Sequence, residues 1–304
     1  MLKRFVFVLA VVAGAFVSVA AQAADAMKPF ILASNAAGDQ AAMVEEVKAK
    51  AAAGGFEVLG AYTPFPGTTI VGVTRDALKA AAAKTEFGAY GAAQRISVVE
   101  ADGKIQVSYT NPSYMAAAYR MDGDLADVTA AMAAAFGTGE QFGPKDAMTD
   151  ADLRGYHYMF GMEYFDDPHK LNSFGSYQEA VDAVEKGLAA GTSGITKVWR
   201  VDVPGKEETV FAVGMKGPRK GDMMQDDTFI MSEIDFKPLK SAAHLPYEIV
   251  VSGDTAYALS ARFRIAINYP DLSMMGDNSF MNIMGAPDAI RAALTAVAGG
   301  SWKK

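Results

Sequence analysis

The feature of this sequence that most limits its possible folds is an internal repeat. The segment DQAAMVEEVKAKAAAGG, which begins at Asp39, has apolar residues at helical spacing and ends in a glycine pair. The segment SYQEAVDAVEKGLAAG begins at Ser176 with the spacing of a capping box and also ends in glycine. The two predicted helices align with Val44 on Val181. A chain that contains one unit twice is expected to fold as two similar domains.

The same order of predicted strands and turns follows each of these helices. Each half continues with two strand pairs, and each pair turns at a Pro-Gly, Asp-Gly or Gly-Asp dipeptide. The matched turns are Pro66-Gly67 with Pro204-Gly205, and Asp102-Gly103 with Gly253-Asp254. Both second pairs are predicted to run into an asparagine near a proline, at Asn111 and Asn268. Each half then closes with an amphipathic helix. We interpret this ordered likeness as a tandem duplication.

Each half is predicted as a β-α-β-β-α-β-β-α unit, so the fold class is α+β. The count includes a strand at 29–34 in the first half and one at 156–165 in the second. The middle helix is clear in the first half and blurred in the second, where an insertion of about 216–243 lengthens the chain. The predicted organisation is a first repeat domain at 24–137, a linker rich in glycine and acidic residues at 138–155, and a second repeat domain at 156–304.

Three stretches suggest a family. GGFEVLGAY, RISVVEADGKIQVSYTNP and HLPYEIVVSGDTAY resemble the bacterial domain-of-unknown-function 302 family, and the likeness covers 29–136 and 156–298. The resemblance implies a curved antiparallel sheet with helices on one face, similar to the TATA-binding-protein-like class. Two such units would form a pseudo-twofold pair. The family implies no activity and no site residues, and this chain departs from a single-domain member by being a tandem.

The N-terminus predicts export. Residues 1–23 begin with Lys3 and Arg4, continue as an apolar run at 5–19 and end in Ala21-Gln22-Ala23, the order of a secretory signal peptide cleaved before Ala24. The run is shorter than the roughly 20 apolar residues that span a bilayer, so no membrane insertion is expected after cleavage. The chain has no cysteine. We therefore expect a soluble periplasmic protein that is stabilised by packing alone.

Charge and missing motifs exclude several classes of function. After removal of Lys3 and Arg4, the chain retains 26 of its 28 Lys and Arg residues and all 35 Asp and Glu residues, which gives a formal net charge of −9. This acidic balance repels phosphate backbones, so nucleic-acid binding is not expected. The chain has no thiol chemistry, no G-x-S-x-G elbow and no phosphate-binding glycine loop. No cofactor is expected. An enzyme would need His157, Glu163 or His244 combined with acidic residues across the two domains.

Methionine and histidine are the remaining candidates for metal binding. On the predicted strand 156–165, His157 and Met159 share a face and Met162 lies on the other. The remaining methionine candidates are Met223 and Met224 in KGDMMQDDT, and Met274, Met275, Met281 and Met284 in MMGDNSFMNIMG. Thioethers suit Cu(I), so a periplasmic Cu(I)-handling protein is one alternative. Met281 and Met284 have the three-residue spacing of core positions, which favours packing for that pair.

Polar and aromatic residues at the ends of the second hairpins are the candidates for ligand binding. They are Tyr109, Asn111, Tyr114, Asn268 and Tyr269. Tyrosine combines apolar area with a polar tip, which suits a recognition surface. The sequence therefore predicts an exported, non-catalytic binding or accessory protein. Its ligand would be a small molecule or a periplasmic protein, at a cleft or concave face between the two units.

Overall fold

The computed structural model describes residues 26–219 and 221–302, so the predicted signal peptide at 1–23 lies outside the described residues. The first half contains β1 (Phe30–Ala36), α1 (Gln40–Ala53), β2 (Glu57–Phe65), β3 (Thr68–Thr74), α2 (Asp76–Lys84), β4 (Gln94–Ala101), β5 (Lys104–Thr110), α3 (Pro112–Ala118), α4 (Ala126–Phe136), β6 (Gln141–Phe142) and α5 (Asp150–Arg154). A 3-10 helix, Gly88–Gly91, precedes β4.

The second half repeats this order. It contains β7 (His169–Ser173), α6 (Tyr177–Ala189), β8 (Ile195–Asp202), β9 (Glu208–Met215), α7 (Asp227–Ile234), β10 (Tyr247–Ser252), β11 (Thr255–Ala258), α8 (Ala261–Asn268) and α9 (Ala286–Val297). Short 3-10 helices lie at Thr192–Gly194, Met223–Gln225, Ala242–His244 and Phe280–Ile283.

The strands form two antiparallel sheets in a mixed α/β protein. The first sheet has the order β2-β3-β4-β5-β1-β6 and the second has the order β8-β9-β10-β11-β7. Strands in corresponding positions along the chain therefore occupy corresponding positions in the sheets. Even an irregularity recurs: a bulge between Val58 and Gly60 in β2 matches one between Lys197 and Trp199 in β8. From helix α1 in the first half and from helix α6 in the second, the predicted order of strands and turns is confirmed as far as the first strand of the second hairpin.

Each sheet carries a pair of helices. Helix α1 begins after Asp39, whose carboxylate accepts a hydrogen bond from the N–H of Ala42 at 2.8 Å, and it contacts β2, β3, β4 and α4. Helix α6 begins after Ser176, whose side chain accepts from the N–H of Glu179, and it contacts β8, β10, β11 and α9. The buried stripe of α1 includes Val44, which the sequence predicts. No helix in the described ranges is long and apolar enough to cross a bilayer.

Three predicted elements differ from the structure. Residues 156–165 form no strand, and β7 begins at His169 instead. The second strand of the last hairpin, β11, ends at Ala258, and Asn268 lies at the end of helix α8. Asn268 is therefore not the counterpart of Asn111, which precedes α3; the residue that precedes α8 is Ser260. The predicted linker 138–155 contains β6, which pairs with β1, and α5, which packs on α3.

The second half contains two segments that the first lacks. Residues 216–226 separate β9 from α7, whereas Arg75 alone separates β3 from α2. The predicted insertion at 216–243 is therefore concentrated at its start, because α7 occupies the place of α2. Residues 269–285 separate α8 from α9, whereas only 119–125 separate α3 from α4. The sequence comparison of the two halves does not reveal this second addition.

Close contacts join the two sheets. A Cβ added at Gly72 of β3 would lie 2.7 Å from the ring of Trp199 in β8, and one added at Gly214 of β9 would lie 2.4 Å from the ring of Tyr62 in β2. Glycine is therefore required where each ring crosses the opposite sheet. The Tyr62 hydroxyl also donates to the buried carboxylate of Asp227 at 2.6 Å. Apolar contact and a buried hydrogen bond thus hold β2 against the second unit.

Candidate functional site

The predicted ligand-binding residues lie inside the protein. The hydroxyl of Tyr109 donates to the carbonyl of Gly137 at 3.0 Å, and that of Tyr114 donates to the carbonyl of Ile267 at 2.6 Å. The Asn111 amide donates to the carbonyl of Lys28 at 3.0 Å. These side chains are buried because they join elements of the fold, and they do not form a surface for a ligand.

The two candidates from the second half lie on helix α8 and its end. The amide of Asn268 is buried and donates to the carbonyl of Arg264 at 2.9 Å. Tyr269 is also largely buried, and its hydroxyl donates to the carbonyl of Ser241 at 3.2 Å. Unlike the other four candidates, Tyr269 lines a surface pocket. This pocket is the candidate binding site.

The pocket lies between α8 and two loops of the second half. It measures about 430 Å³ when the space open to solvent is included. Its walls are apolar except for one guanidinium and the tyrosine hydroxyls, and three thioethers contribute to them. The lining residues are Tyr158, Met159, Met162, Arg262, Ile265, Ala266, Tyr269, Leu272, Met274 and Phe280. An apolar depression with few polar groups is the usual form of a binding site for an apolar group.

One wall of the pocket is the loop 156–168. The N–H of Met162 donates to the carbonyl of Met159 at 3.0 Å, and Gly161 between them adopts a left-handed conformation at φ 80°. The ring of Phe160 at this turn is 99% exposed. The turn places Met159 and Met162 on one pocket, whereas the alternation of a strand would separate them. The assignment of these two methionines to opposite faces is therefore wrong.

Aromatic packing fixes this loop on the body of the protein. The buried ring of Phe165 stacks on Tyr119 of the first half with centroids 5.5 Å apart, and it lies 6.2 Å from the ring of Phe263 in α8. The hydroxyl of Tyr156 donates to the carbonyl of Ala266 at 3.3 Å. Because these anchors lie on both sides of the turn, the pocket wall is held in place before any ligand arrives.

The opposite wall is the added segment 269–285. Backbone hydrogen bonds fold it on itself: the N–H of Phe280 donates to the carbonyl of Ser273 at 2.8 Å, and the N–H of Met281 donates to that of Met274 at 3.2 Å. Within this segment, the side chain of Ile283 is fully buried. The segment is therefore an ordered loop that places Met274 in the pocket.

Ion pairs neutralise the charged groups beside the pocket. The guanidinium of Arg262 donates to Glu163 at 3.1 Å, and Glu163 lies 3.8 Å from the ring of His169. Burial, followed by the positive charge of Arg291, lowers the pKa of His169. Since the guanidinium of Arg262 is already paired with a carboxylate, it attracts an anionic ligand less strongly than an unpaired guanidinium would. The pocket therefore favours an uncharged group.

Among the described residues, the exposed methionines all belong to the second half, and two of them line this pocket. In the part of the chain that the structure describes, they are Met159, Met223, Met274, Met275, Met281 and Met284. The described methionines of the first half, from Met27 to Met148, are all buried or half-buried. Apart from Met159, the exposed ones lie on the two added segments, and Met224 of the first segment packs against Gly285 of the second. Exposed methionine is thus a local feature of these segments and is not found throughout the described chain.

The predicted core positions of Met281 and Met284 are wrong. Their side chains are 52% and 62% exposed. The reason is the 3-10 helix Phe280–Ile283, in which residues three apart share a face. Phe280 and Ile283 take the inward face, so Met281 and Met284 point to solvent. Met281 and Met284 do share a helical face, as their spacing predicts, but this face points to solvent and not to the core.

The residues required for an enzyme have separate partners. His157 has its Nδ1 2.9 Å from the carbonyl of Met159 and its ring on that of Tyr164. His244 is buried, and its Nε2 lies 3.1 Å from the hydroxyl of Tyr247. Burial, and next the charge of Arg264, lowers the pKa of His244 well below its usual value. Within 26–219 and 221–302, no group of three or more His, Asp or Glu side chains is arranged to hold a metal ion.

Sequence analysis does not identify a buried charged cluster that joins the two halves. Arg95 of β4 pairs with Glu248 of β10, and the other oxygen of Glu248 accepts from Arg264 of α8 at 2.7 Å. The Arg264 guanidinium also donates to Tyr119 at 2.9 Å and to the carbonyl of His244 at 2.6 Å. All three charged side chains are almost completely buried. This cluster is structural, since its charged side chains are almost completely buried, and its sequence signal is a charged residue within an apolar strand or helix.

Comparison of the chain with protein-family models, curated proteins and solved structures finds no match.

Proposed function

We propose that this protein is an exported, non-catalytic binding protein whose second unit takes an apolar group into the methionine-lined pocket. The observation that carries the proposal is that two exposed methionines, Met159 and Met274, line this pocket together with Met162. Flexible, polarisable methionine side chains adapt to different apolar partners. Exposed apolar patches of this kind are typical of interaction sites. No cofactor is part of the proposal.

The size of the pocket indicates what it accommodates. Its interior volume is about 50 Å³, on a measure by which one water molecule needs roughly 10–15 Å³. The space therefore suits about four water-sized groups, which matches the carbon atoms of a leucine side chain. A long acyl chain would need far more. We accordingly propose that the ligand is a polypeptide that inserts one apolar side chain, with Met159 and Met274 at the rim of the pocket.

The fold proposal is a tandem member of the domain-of-unknown-function 302 family. In this proposal the two units have a TATA-binding-protein-like fold and form a pseudo-twofold pair. The shared strand order and the shared bulge of the two sheets support it. So does the pairing of Arg95 with Glu248, because each is the second residue of the corresponding strand. An experimental structure in which the two units are not related by a twofold rotation would contradict it.

Export to the periplasm is the proposed localisation, and its support is the signal-like order of residues 1–23. The expected N-terminus of the protein purified from a periplasmic fraction is Ala24. Mass spectrometry of the intact protein gives this directly. A soluble protein that retains Met1 would contradict the proposal.

The binding proposal can be tested with N-acetyl-leucinamide as the probe. Full burial of a leucine side chain provides about 1.5–3 kcal/mol, so the isolated amide should bind with a dissociation constant of about 10–100 mM. In protein labelled with ¹³C at the methionine methyl groups, the probe should shift the resonances of Met159, Met162 and Met274. The buried Met132 and Met215 should not respond.

Two lysine variants provide a matched comparison. Met274→Lys places a charge at the pocket, whereas Met284→Lys places one on an exposed residue outside it. Both side chains are exposed, so each change should alter stability by less than about 0.5 kcal/mol. We expect Met274→Lys to abolish the probe-induced shifts and Met284→Lys to retain them. Equal shifts in the two variants would contradict the proposal.

A second candidate function is Cu(I) handling. One observation favours it: the thioethers of Met159, Met162 and Met274 line the same pocket, and thioethers are soft ligands that suit Cu(I). Anaerobic titration with Cu(I) should then show stoichiometric uptake that Met162→Leu removes, while N-acetyl-leucinamide still binds. No uptake by the parent protein would eliminate this candidate.

A further inference from the structure

Two pocket methionines are open to chemical modification. Met159 and Met274 both line the pocket and are 45% and 41% exposed. Their sulfur atoms are therefore accessible to small oxidants in solution. From this placement, and resting on the proposed function, we propose that Met159 and Met274 are reversible oxidation sites through which a peroxide closes the pocket to apolar ligands.

The contrast with the other methionines gives the inference its specificity. Met115, Met121, Met132, Met215 and Met231 are at most 2% exposed. Oxidation of methionine requires access to the sulfur, so these five serve as internal standards in the same molecule. Because the exposed methionines of the described residues all belong to the second half, oxidation should be fastest there.

The chemistry is a two-electron oxygen transfer. A sulfur lone pair attacks one oxygen of hydrogen peroxide, an S–O bond forms while the O–O bond breaks, and water leaves after proton transfer. The thioether is oxidised to a sulfoxide and the peroxide is reduced. Methionine sulfoxide reductases reverse the change at the expense of a thiol reductant.

The sulfoxide alters the pocket in a defined way. It introduces a strong hydrogen-bond acceptor into a lining that is otherwise apolar. Arg262 is the cationic side chain of that lining, and it already donates to Glu163 at 3.1 Å. A ligand side chain that entered would displace water from the sulfoxide without replacing its hydrogen bonds. Binding of an apolar group should therefore weaken after oxidation.

Two leucine variants separate the pocket from the rest of the surface. Met159→Leu/Met274→Leu keeps the apolar volume and removes the two exposed pocket methionines, so that the half-buried Met162 is the pocket sulfur that remains. Met281→Leu/Met284→Leu removes two exposed sulfurs that do not line the pocket. The full-length mature protein and both variants are treated with hydrogen peroxide. Each is then digested for mass spectrometry and titrated with N-acetyl-leucinamide.

We expect Met159 and Met274 to oxidise at least about tenfold faster than the five buried methionines. Oxidised parent protein and oxidised Met281→Leu/Met284→Leu should lose probe binding, at least about tenfold in affinity, and recover it after treatment with methionine sulfoxide reductases. For Met159→Leu/Met274→Leu the comparison is between treated and untreated samples of the same variant: whatever its affinity for the probe before treatment, peroxide should not lower that affinity.

Three results would overturn the inference: unchanged binding by the oxidised parent, loss of binding by oxidised Met159→Leu/Met274→Leu, or oxidation of Met159 and Met274 no faster than that of the buried standards. If the untreated parent fails to bind the probe, the proposed function fails instead. The oxidation rates then decide whether the two sulfurs are modification sites at all.

Discussion

Replacing Glu248 by glutamine is expected to cost more stability than removing Arg95, its partner in the buried cluster. The cluster contains two guanidiniums and one carboxylate, all at least 97% buried as side chains. It therefore holds one positive charge in excess. Glu248→Gln keeps the shape but leaves Arg95 and Arg264 without a counter-charge. Arg95→Met leaves Glu248 and Arg264 as a balanced pair.

The magnitudes follow from the cost of unpaired buried charges. Breaking a buried ion pair by removing one partner costs about 3–5 kcal/mol. Glu248→Gln should reach at least this range, because one change leaves two cations uncompensated. Arg95→Met removes a charge together with its own desolvation cost, so we expect it to be less destabilising by at least about 1.5 kcal/mol. In the Glu248→Gln background, Arg95→Met should be stabilising, since it removes one of the two like charges.

Urea unfolding provides the measurement. The side chain of Trp199 lies buried where β8 meets Gly72 of the first unit, so its fluorescence reports separation of the units. Far-UV circular dichroism reports loss of secondary structure, and coincident transitions justify the linear extrapolation. A Glu248→Gln variant as stable as Arg95→Met, or a double variant less stable than Glu248→Gln, would refute the reasoning from charge balance.

Three further predictions concern other parts of the molecule. Burial raises the pKa of Asp227 from 3.8 to about 7. The stability that its protonated carboxyl group contributes is therefore complete below about pH 4 and is lost as the pH rises through about 7, a change of about 4 kcal/mol. In urea unfolding from pH 4 to 7, Asp227→Asn should flatten this decline, and an unchanged slope would contradict the raised pKa of Asp227. Gly214→Ala should cost about 1–3 kcal/mol in the same assay, because its methyl group would lie 2.4 Å from the ring of Tyr62; a change below about 0.5 kcal/mol would mean that the interface adapts. Met281→Ala/Met284→Ala should melt close to the parent, because both side chains are exposed; a loss of several kcal/mol would restore the core assignment.

The shared order of strands in the two halves is predictable because most of these elements follow local rules. Asp39 and Ser176 begin helices as N-caps, and the turns at 66–67 and 204–205 join strands whose apolar pattern is regular. These signals depend on a few neighbouring residues. The strand order that they imply needs no knowledge of the partner unit.

Helix α8 was mispredicted because buried charges imitate a solvent-facing strand. In ARFRIAIN, Arg262 and Arg264 alternate with Phe263, Ile265 and Ile267, the period of a half-buried strand. In the structure Arg264 pairs with Glu248 inside the protein. This arginine therefore does not indicate a solvent-exposed face. The sequence cannot reveal such a pairing, because its partner lies in a different element.

The candidate pocket was predictable only in its residue types. Met159, Met274 and Tyr269 all belong to predicted sites, yet a turn at Gly161 and the fold of an added loop bring them together. Neither arrangement leaves a periodic pattern. The predicted strand at 156–165 would place Met162 and Met159 on opposite faces, and this strand does not form.

The pairing of Arg95 with Glu248 also bears on the history of the chain. In a symmetric pair of identical subunits, residues at equivalent positions beside the axis face copies of themselves. Had this protein begun as such a pair, the ancestral residue at this position would have faced a copy of itself, and two arginines without a counter-charge could not be buried there without a large electrostatic cost. Opposite charges become possible only after the two copies are encoded separately and diverge. From then on the first copy cannot return to self-association without burying two arginines that lack a counter-charge, whereas in the second copy Arg264 balances Glu248. The fusion of the two genes would therefore be irreversible for the first copy at this position.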